Sequence, residues 1–528
     1  MISDNSINKI TTENGAPSLS SPGFAEDRLN FFYKCNRNTN TPQLYIYLKK
    51  CVKENLLDTF LLVFNLRDCR NGKGERKLGI KCFIWLFINY PNETSKIIHL
   101  IPEFGRWDDI LYLWPKILDL KLHSVEYISE NYNSKLYTDD SIKKLHEIQL
   151  SFVKLLGNQL IIDKKNMEEG KKISLCAKWA PSEKDSKNIK YKIVPLLVKC
   201  MNWTLKEYRI IYLTPLRKYL NIVEKLMCSN DWENINYNHV PSNAINRLQN
   251  AFIKHTSEKF NIWKNSLIYG KNKINSKQLF PHELIIKLKK IEEENPIIEA
   301  QWKELEKKYD NFSDCLFLVD VSNSMLNWQW RSKEEVNQLN FTPIDVAIAL
   351  AILGSNSVKN YFHNHIITFH SKPSFFILPD SSLFERYNMI KNMDWAGSTN
   401  LFLVFKLILE RATFCNIDPS EMPSRLFILS DMQFDTIEQY SKKTNFEAIK
   451  TLYAGTGYNI PKIIFWNLNG DILDFPVHSK ENNTALLSGF SMDLINSVFL
   501  DVPMNPYEIM RATLDKNEYI SIKNAFET

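Results

Sequence analysis

A carboxylate and two hydroxyls stand at alternate positions in Asp320-Val321-Ser322-Asn323-Ser324, where an apolar run beginning at Cys315 ends in small polar residues. On a tight turn all three can face one point. Gly397-Ser398-Thr399-Asn400 adds a hydroxyl on a loop that opens a helix, and Ser430-Asp431 ends the run RLFILSD with a second carboxylate. Asp320, Ser322, Ser324, Thr399 and Asp431 are hard oxygen donors with only two formal charges among them. Such a set suits Mg2+, or another hard divalent cation, held octahedrally with waters and one open position.

The second group is cationic. Arg67, Arg70, Lys73, Arg76 and Lys77 surround a glycine-bearing turn, Arg70-Asn71-Gly72-Lys73-Gly74-Glu75-Arg76, where several cations and a flexible backbone can meet phosphates. Arg106, Trp107, Lys178 and Trp179 add cations and stacking surfaces of the kind that single-stranded or frayed RNA uses. The same residues also suit structural work. Arg67 can pair with Asp68, the tryptophans are large enough to anchor helix pairs, and GKGER can end one helix and start the next.

Other motifs fail on chemistry. Gly72-Lys73-Gly74-Glu75 lacks the Ser or Thr that follows the lysine of a P-loop. Asp320-Val321-Ser322 has a serine where an aspartyl-phosphate enzyme carries its second carboxylate. His363, His365 and His370 fall on an alternating, strand-like segment and lack a nearby Cys or carboxylate set at ligand spacing, so they read as core or surface histidines. No nucleophile is paired with a base, so a non-enzymatic protein is expected. A Mg2+-dependent phosphoester hydrolase is the remote alternative.

These residues need elements to position them, and the apolar spacing supplies two kinds. Residues 25–310 read as helix after helix, an irregular HEAT-like α-helical repeat array, with the stripe Leu56, Phe60, Leu61 and Phe64 as one example. Pro91, Pro181 and Pro215 fall where helices stop or start, and the segment from Lys287 to Asp310 reads as a charged helical connector. Residues 311–528 change rhythm. CLFLVDVS, HNHIITFHSKPSFFILP, RLFILSD and PKIIFWNL read as strands, and helices are expected after Thr342-Pro343 and along Leu401, Val404, Phe405, Ile408 and Ala412. This alternation predicts a doubly wound, mainly parallel sheet whose ligands sit at the carboxyl ends of the strands. The fold class is therefore multidomain, α followed by α/β.

Composition agrees with a packed protein of several domains: 528 residues, 44% hydrophobic and 24% charged. Of 66 Lys+Arg and 60 Asp+Glu, residues 311–528 hold 17 and 24, leaving 49 and 36 before them, so a polyanion is expected on the first part. Residues 1–24 read as a disordered polar arm rather than a signal peptide. No apolar run is long enough for a bilayer, so no membrane partner is expected. The nine scattered cysteines argue against a disulfide framework, and a cytoplasmic, intracellular protein is expected.

Asp320, Ser322, Ser324, Thr399 and Asp431 match in order the DxSxS…T…D pattern, and so resemble the metal-ion-dependent adhesion site (MIDAS) of von Willebrand factor type A domains. Asn323 stands where such domains often have Gly. The resemblance implies that Ser322, Ser324 and Thr399 approach the metal directly, while Asp320 and Asp431 hold it through waters. Ahead of it, Asp58-Thr59-Phe60, Leu66-Arg67-Asp68, the RNGKGER turn, Pro102-Glu103-Phe104-Gly105-Arg106-Trp107-Asp108-Asp109, Ala177-Lys178-Trp179-Ala180-Pro181-Ser182, Leu213-Thr214-Pro215-Leu216-Arg217 and Val240-Pro241-Ser242 resemble in order the TROVE-like module of Ro-type RNA-binding proteins. More closely, the chain resembles an uncharacterised family joining such a module to a von Willebrand A domain. The resemblance implies a ribonucleoprotein scaffold that binds structured or single-stranded RNA, with a Mg2+ site beside it. The alternative is a metal-dependent protein-interaction module without RNA, its partner supplying a carboxylate to the metal.

Overall fold

The computed structural model describes residues 8–11, 17–20, 26–35, 39–122, 139–184, 192–272, 274, 279–309, 314–326, 341–369, 373–393, 401–430, 445–468, 474–475, 484–488 and 506–527. The chain forms two compact units, Met1–Asn38 with Asn236–Thr513, and Thr39–Ile235 with Leu514–Thr528. One is built on a sheet and the other on helices.

Nine strands are described: Asn8–Thr11 (β1), Pro17–Ser20 (β2), Cys315–Asp320 (β3), His365–Phe369 (β4), Ser374–Ile377 (β5), Arg425–Ser430 (β6), Lys462–Asn467 (β7), Asp474–Phe475 (β8) and Thr484–Ser488 (β9). Six form one mixed sheet in the order β5-β4-β3-β6-β7-β9, with β5 antiparallel to β4 and every other neighbour parallel. All six residues of β3 are buried, and five of six in β6, so both faces of the sheet centre are covered, as continuous apolar strands require. The predicted strand segments are all present. The turn around Ser371 to Pro373 is described only from Pro373 onward.

The helix Pro343–Ser357 packs on β3, opened by a capping box between Thr342 and Asp345 with Pro343 in the first turn. Gly354 lets it approach closely, since a Cβ there would lie 2.1 Å from the Phe317 ring, which stacks on Phe427 at 5.1 Å. The helix Leu401–Phe414 packs against Asn445–Tyr453 and buries Leu401, Val404, Phe405, Ile408 and Ala412.

Two expectations change in this unit. The stretch from Lys287 to Asp310 is not a mere connector. Pro281–Ile291 and Pro296–Lys308 pack on the helix Pro343–Ser357, and the second buries Ile297, Ile298, Trp302 and Leu305. The 310/311 change of rhythm accordingly falls inside one compact unit, Met1–Asn38 with Asn236–Thr513. Residues 1–24 are also not wholly a disordered arm. β1 and β2 pair antiparallel, and β2 pairs with β8, in a small sheet where Ile10 and the neighbouring threonine favour strand.

In the helical unit, Leu56–Arg67 is the central helix. Every residue from Asp58 to Arg67 is buried, so it is covered on all sides rather than along the one stripe its spacing suggests. Asn55 caps it by accepting from the Asp58 N–H, and Thr41–Glu54 and Arg76–Asn89 pack beside it. Trp107–Leu122, Asp139–Glu168 and Ile193–Met201 follow in contact succession. The segment Tyr208–Leu213 is π-helical, immediately before Thr214-Pro215, where the missing proline N–H and its ring displace the α-pattern. The chain's last helix, Ile520–Glu527, returns to this unit and packs on Leu56–Arg67 and Pro91–Ile97. Among the described residues no helix is long and apolar enough to cross a membrane. All nine cysteines are free.

Candidate functional site

The first site lies at the carboxyl ends of the central strands. Parallel register places Val319 beside Leu429, and Ser430 beside Asn467, so Asp320, Ser430 and Asn467 are successive members of one row across β3, β6 and β7. Residues in such a row share a face of the sheet. All three are buried, at 0%, 0% and 1% exposure. A sheet interior has no use for three polar residues unless they are hydrogen-bonded or serve a ligand.

Asp320 is held from two sides. One carboxylate oxygen accepts the Ser322 N–H at 2.9 Å, as expected for an aspartate opening a tight turn, and the other accepts the Ser430 hydroxyl. Ser322 is 8% exposed, so the turn after β3 presents a buried rim. Ser324 lies in the short 3-10 helix Asn323–Leu326 that follows. Thr399 and Asp431 lie outside the described residues, as does the side chain of Ser324. The described part of the set therefore brings Asp320 and Ser322 together and adds Ser430, quoted in the sequence only as the neighbour of Asp431. The donors present, an oriented carboxylate and serine oxygens, fit a hard cation. No group of three or more His, Cys, Asp or Glu at metal-ligand spacing occurs among the described residues.

The second site is the glycine-bearing turn of the helical unit. Arg67 is buried, and it pairs with Asp109 rather than with Asp68: its Nε donates to Oδ2 at 2.8 Å and its second contact is 2.6 Å. Arg76 bridges both acids, reaching Asp109 Oδ1 and Asp108 Oδ2 at 2.8 Å each. Arg106 contributes its backbone N–H to Asp109 at 2.9 Å and its Nε to Asp108 at 3.1 Å. Asp68 instead closes the turn, accepting the Arg70 N–H at 2.8 Å and the Tyr519 hydroxyl at 3.2 Å. Burial and the Asp68 carboxylate push the Tyr519 phenol far above its ordinary pKa.

Glycines make room for this network. A Cβ on Gly79 would lie 2.8 Å from the Arg67 side chain, and one on Gly105 would lie 2.3 Å from Asp109 Oδ2. Arg70 donates to the carbonyls of Glu103 and Gly105, and Lys73 is buried in the turn, where Gly74 takes a φ of 69°. Lys77 is exposed. Arg106 lies 5.4 Å over Trp179, Lys178 lies 5.7 Å over the same ring and 3.2 Å from Glu224, and Arg76 lies 5.4 Å over Tyr112. Arg217 fastens the Trp179 loop through the carbonyls of Ala177 and Ala180 and the Ser182 hydroxyl. The sequence pieces RNGKGER, EFGRWDD, AKWAPS and LTPLR therefore converge. Asp108 and Asp109 organise the first two, Arg217 joins the last two and Arg106 over Trp179 links the pairs; the adjacent acids in the first turn of Trp107–Leu122 were the signal for the first role.

Residues 314–524 match a domain of unknown function (DUF7788), and residues 12–111 with 197–313 match another (DUF2828). The chain is also similar to the uncharacterized protein L728 of Acanthamoeba polyphaga mimivirus, with 29% identity over 531 residues covering 96% of this chain and 87% of that protein. The similarity runs through both compact units.

Proposed function

We propose that this is a non-enzymatic interaction protein whose sheet unit holds a hard divalent cation, Mg2+ first, at the carboxyl ends of β3 and β6, with a partner carboxylate completing the metal shell. The observation that carries this reading is the buried Asp320 carboxylate, fixed by the Ser322 N–H and the Ser430 hydroxyl in a polar row at the sheet edge. Asp320, Ser322, Ser324, Thr399 and Asp431 would hold the ion. The mainly parallel sheet and the order of these residues along it support a von Willebrand A-like unit with an adhesion-type site. The test is retention of a protein partner by the full chain in Mg2+, in EDTA and with Asp320→Ala. Loss under both treatments is expected, and a partner retained under both contradicts the reading.

RNA binding by the helical unit, as a TROVE-like scaffold, is a second reading, favoured by the rim of Arg106 over Trp179 and Arg76 over Tyr112 beside exposed Lys77. It ranks second because Arg67, Arg70, Arg76, Arg106 and Lys178 already engage Asp108, Asp109, Glu224 or backbone carbonyls. Charge reversal at Lys77 and Arg106 should weaken structured-RNA binding and flatten its salt dependence. Unchanged affinity removes the assignment.

A further inference from the structure

We infer that Ser430 is a positioning residue for the cation at the strand edge: its hydroxyl fixes the rotation of the Asp320 carboxylate and thereby sets the affinity for the ion. The inference rests on the proposed metal reading and deepens it. Ser430 ends β6 directly beside Asp320, which ends β3, because Val319 and Leu429 are paired partners in the parallel ladder. Both residues are fully buried, and the Ser430 hydroxyl donates to Asp320 Oδ2 while the Ser322 N–H donates 2.9 Å to Oδ1.

Each carboxylate oxygen is thus gripped by a neutral donor from a different element. The Ser322 amide comes from the turn and the Ser430 hydroxyl from the neighbouring strand. A carboxylate held at both oxygens cannot swing about its terminal torsion, which is otherwise broad and nearly two-fold. Its orientation is then fixed relative to the turn after β3 that carries Ser322. The donors to metal-ligating groups tune affinity in this way: they cost little when the ion is absent and lower the reorganisation needed when it binds.

Asn467 extends the same row one strand further and is also buried, so the environment of Ser430 is polar on its β7 side rather than apolar. A serine at this position is small enough to sit between strand ends without displacing either neighbour. Alanine keeps the volume nearly unchanged but removes the donor, and threonine keeps the donor.

The test uses the full chain. Mn2+ binding is followed by electron paramagnetic resonance, and Mg2+ by competition, for wild type, Ser430→Ala and Ser430→Thr, with Asp320→Ala as the ligand-loss control. Ser430→Ala should weaken Mn2+ and Mg2+ binding by about tenfold, with Ser430→Thr restored to within about threefold of wild type. Melting in EDTA should show a cooperative transition for both serine variants, lowered in Ser430→Ala because a buried carboxylate oxygen loses its donor, so that affinities are compared between folded proteins. Wild-type affinity in Ser430→Ala overturns the inference while leaving the metal reading intact. Absence of saturable binding in wild type overturns both. If Ser430→Ala does not fold, Ser430→Thr decides: equal affinity supports the hydroxyl as the operative group, and a loss as large as that of Asp320→Ala contradicts it.

Discussion

The Asp109 carboxylate, fully buried, accepts from two guanidinium groups and one backbone N–H. Removing one partner of such a pair strands the other in a medium that cannot solvate it. Asp109→Asn should therefore lower the stability of the helical unit by about 3–5 kcal/mol, measured by urea unfolding. A change below about 1 kcal/mol would show that Arg67 finds another acceptor. Gly105→Ala should act in the same direction, because its Cβ would meet both Asp109 Oδ2 at 2.3 Å and the Ile101 carbonyl at 2.8 Å, neither of which can yield cheaply. These residues were conspicuous in the sequence as charges around a turn. Their partners were not, since Arg67 and Asp109 are 42 positions apart and the nearer Asp68 offered itself as the obvious mate.

At the scale of elements, the helix Pro296–Lys308 carries acids whose surroundings oppose their charge. Burial raises the pKa of Glu299 and of Glu306 above the ordinary carboxylate value, although Glu299 accepts the Leu383 N–H at 2.9 Å and Glu306 pairs with Arg386 at 3.2 Å. A raised folded pKa means that the native state binds protons more tightly than the unfolded chain, so these two groups stabilise as pH falls from their raised values toward the unfolded value, and that gain is lost as pH rises. Glu299→Gln should accordingly compare more favourably with wild type in thermal melting at pH 7 than at pH 5. The opposite ordering would mean that hydrogen bonding to the charged form outweighs burial. The strands β3 to β7 and the helix after Thr342-Pro343 were legible because alternation, apolar runs and capping residues are local signals. The packing of Pro296–Lys308 was not, because its many Glu and Lys residues mask a buried stripe of Ile297, Ile298, Trp302 and Leu305. The Ser430 hydroxyl bond was equally hidden, as register between strands 110 positions apart leaves no local trace.

At the scale of the whole molecule, the chain enters each compact unit twice, and its last residues complete the helical one. Tyr519 and Ile522 are buried there, Tyr519 stacks on Phe104 at 5.4 Å and bonds to Asn65 and Asp68, and Phe526 meets Phe60 edge-on at 4.7 Å. Deleting residues 514–528 should cost the helical unit at least about 3 kcal/mol, from the lost burial of Tyr519 and Ile522 alone, and lower its urea midpoint. An unchanged midpoint would show that the remaining helices close over the gap. Function is proposed for the other unit, and one measurement tests it most directly: calorimetric titration of Mg2+ into the metal-stripped full chain and into Asp320→Ala. Saturable binding at one site in wild type, abolished in Asp320→Ala while the fold is retained, is the predicted result. No saturable binding, or binding indifferent to Asp320, would contradict a cation site at the carboxyl ends of β3 and β6.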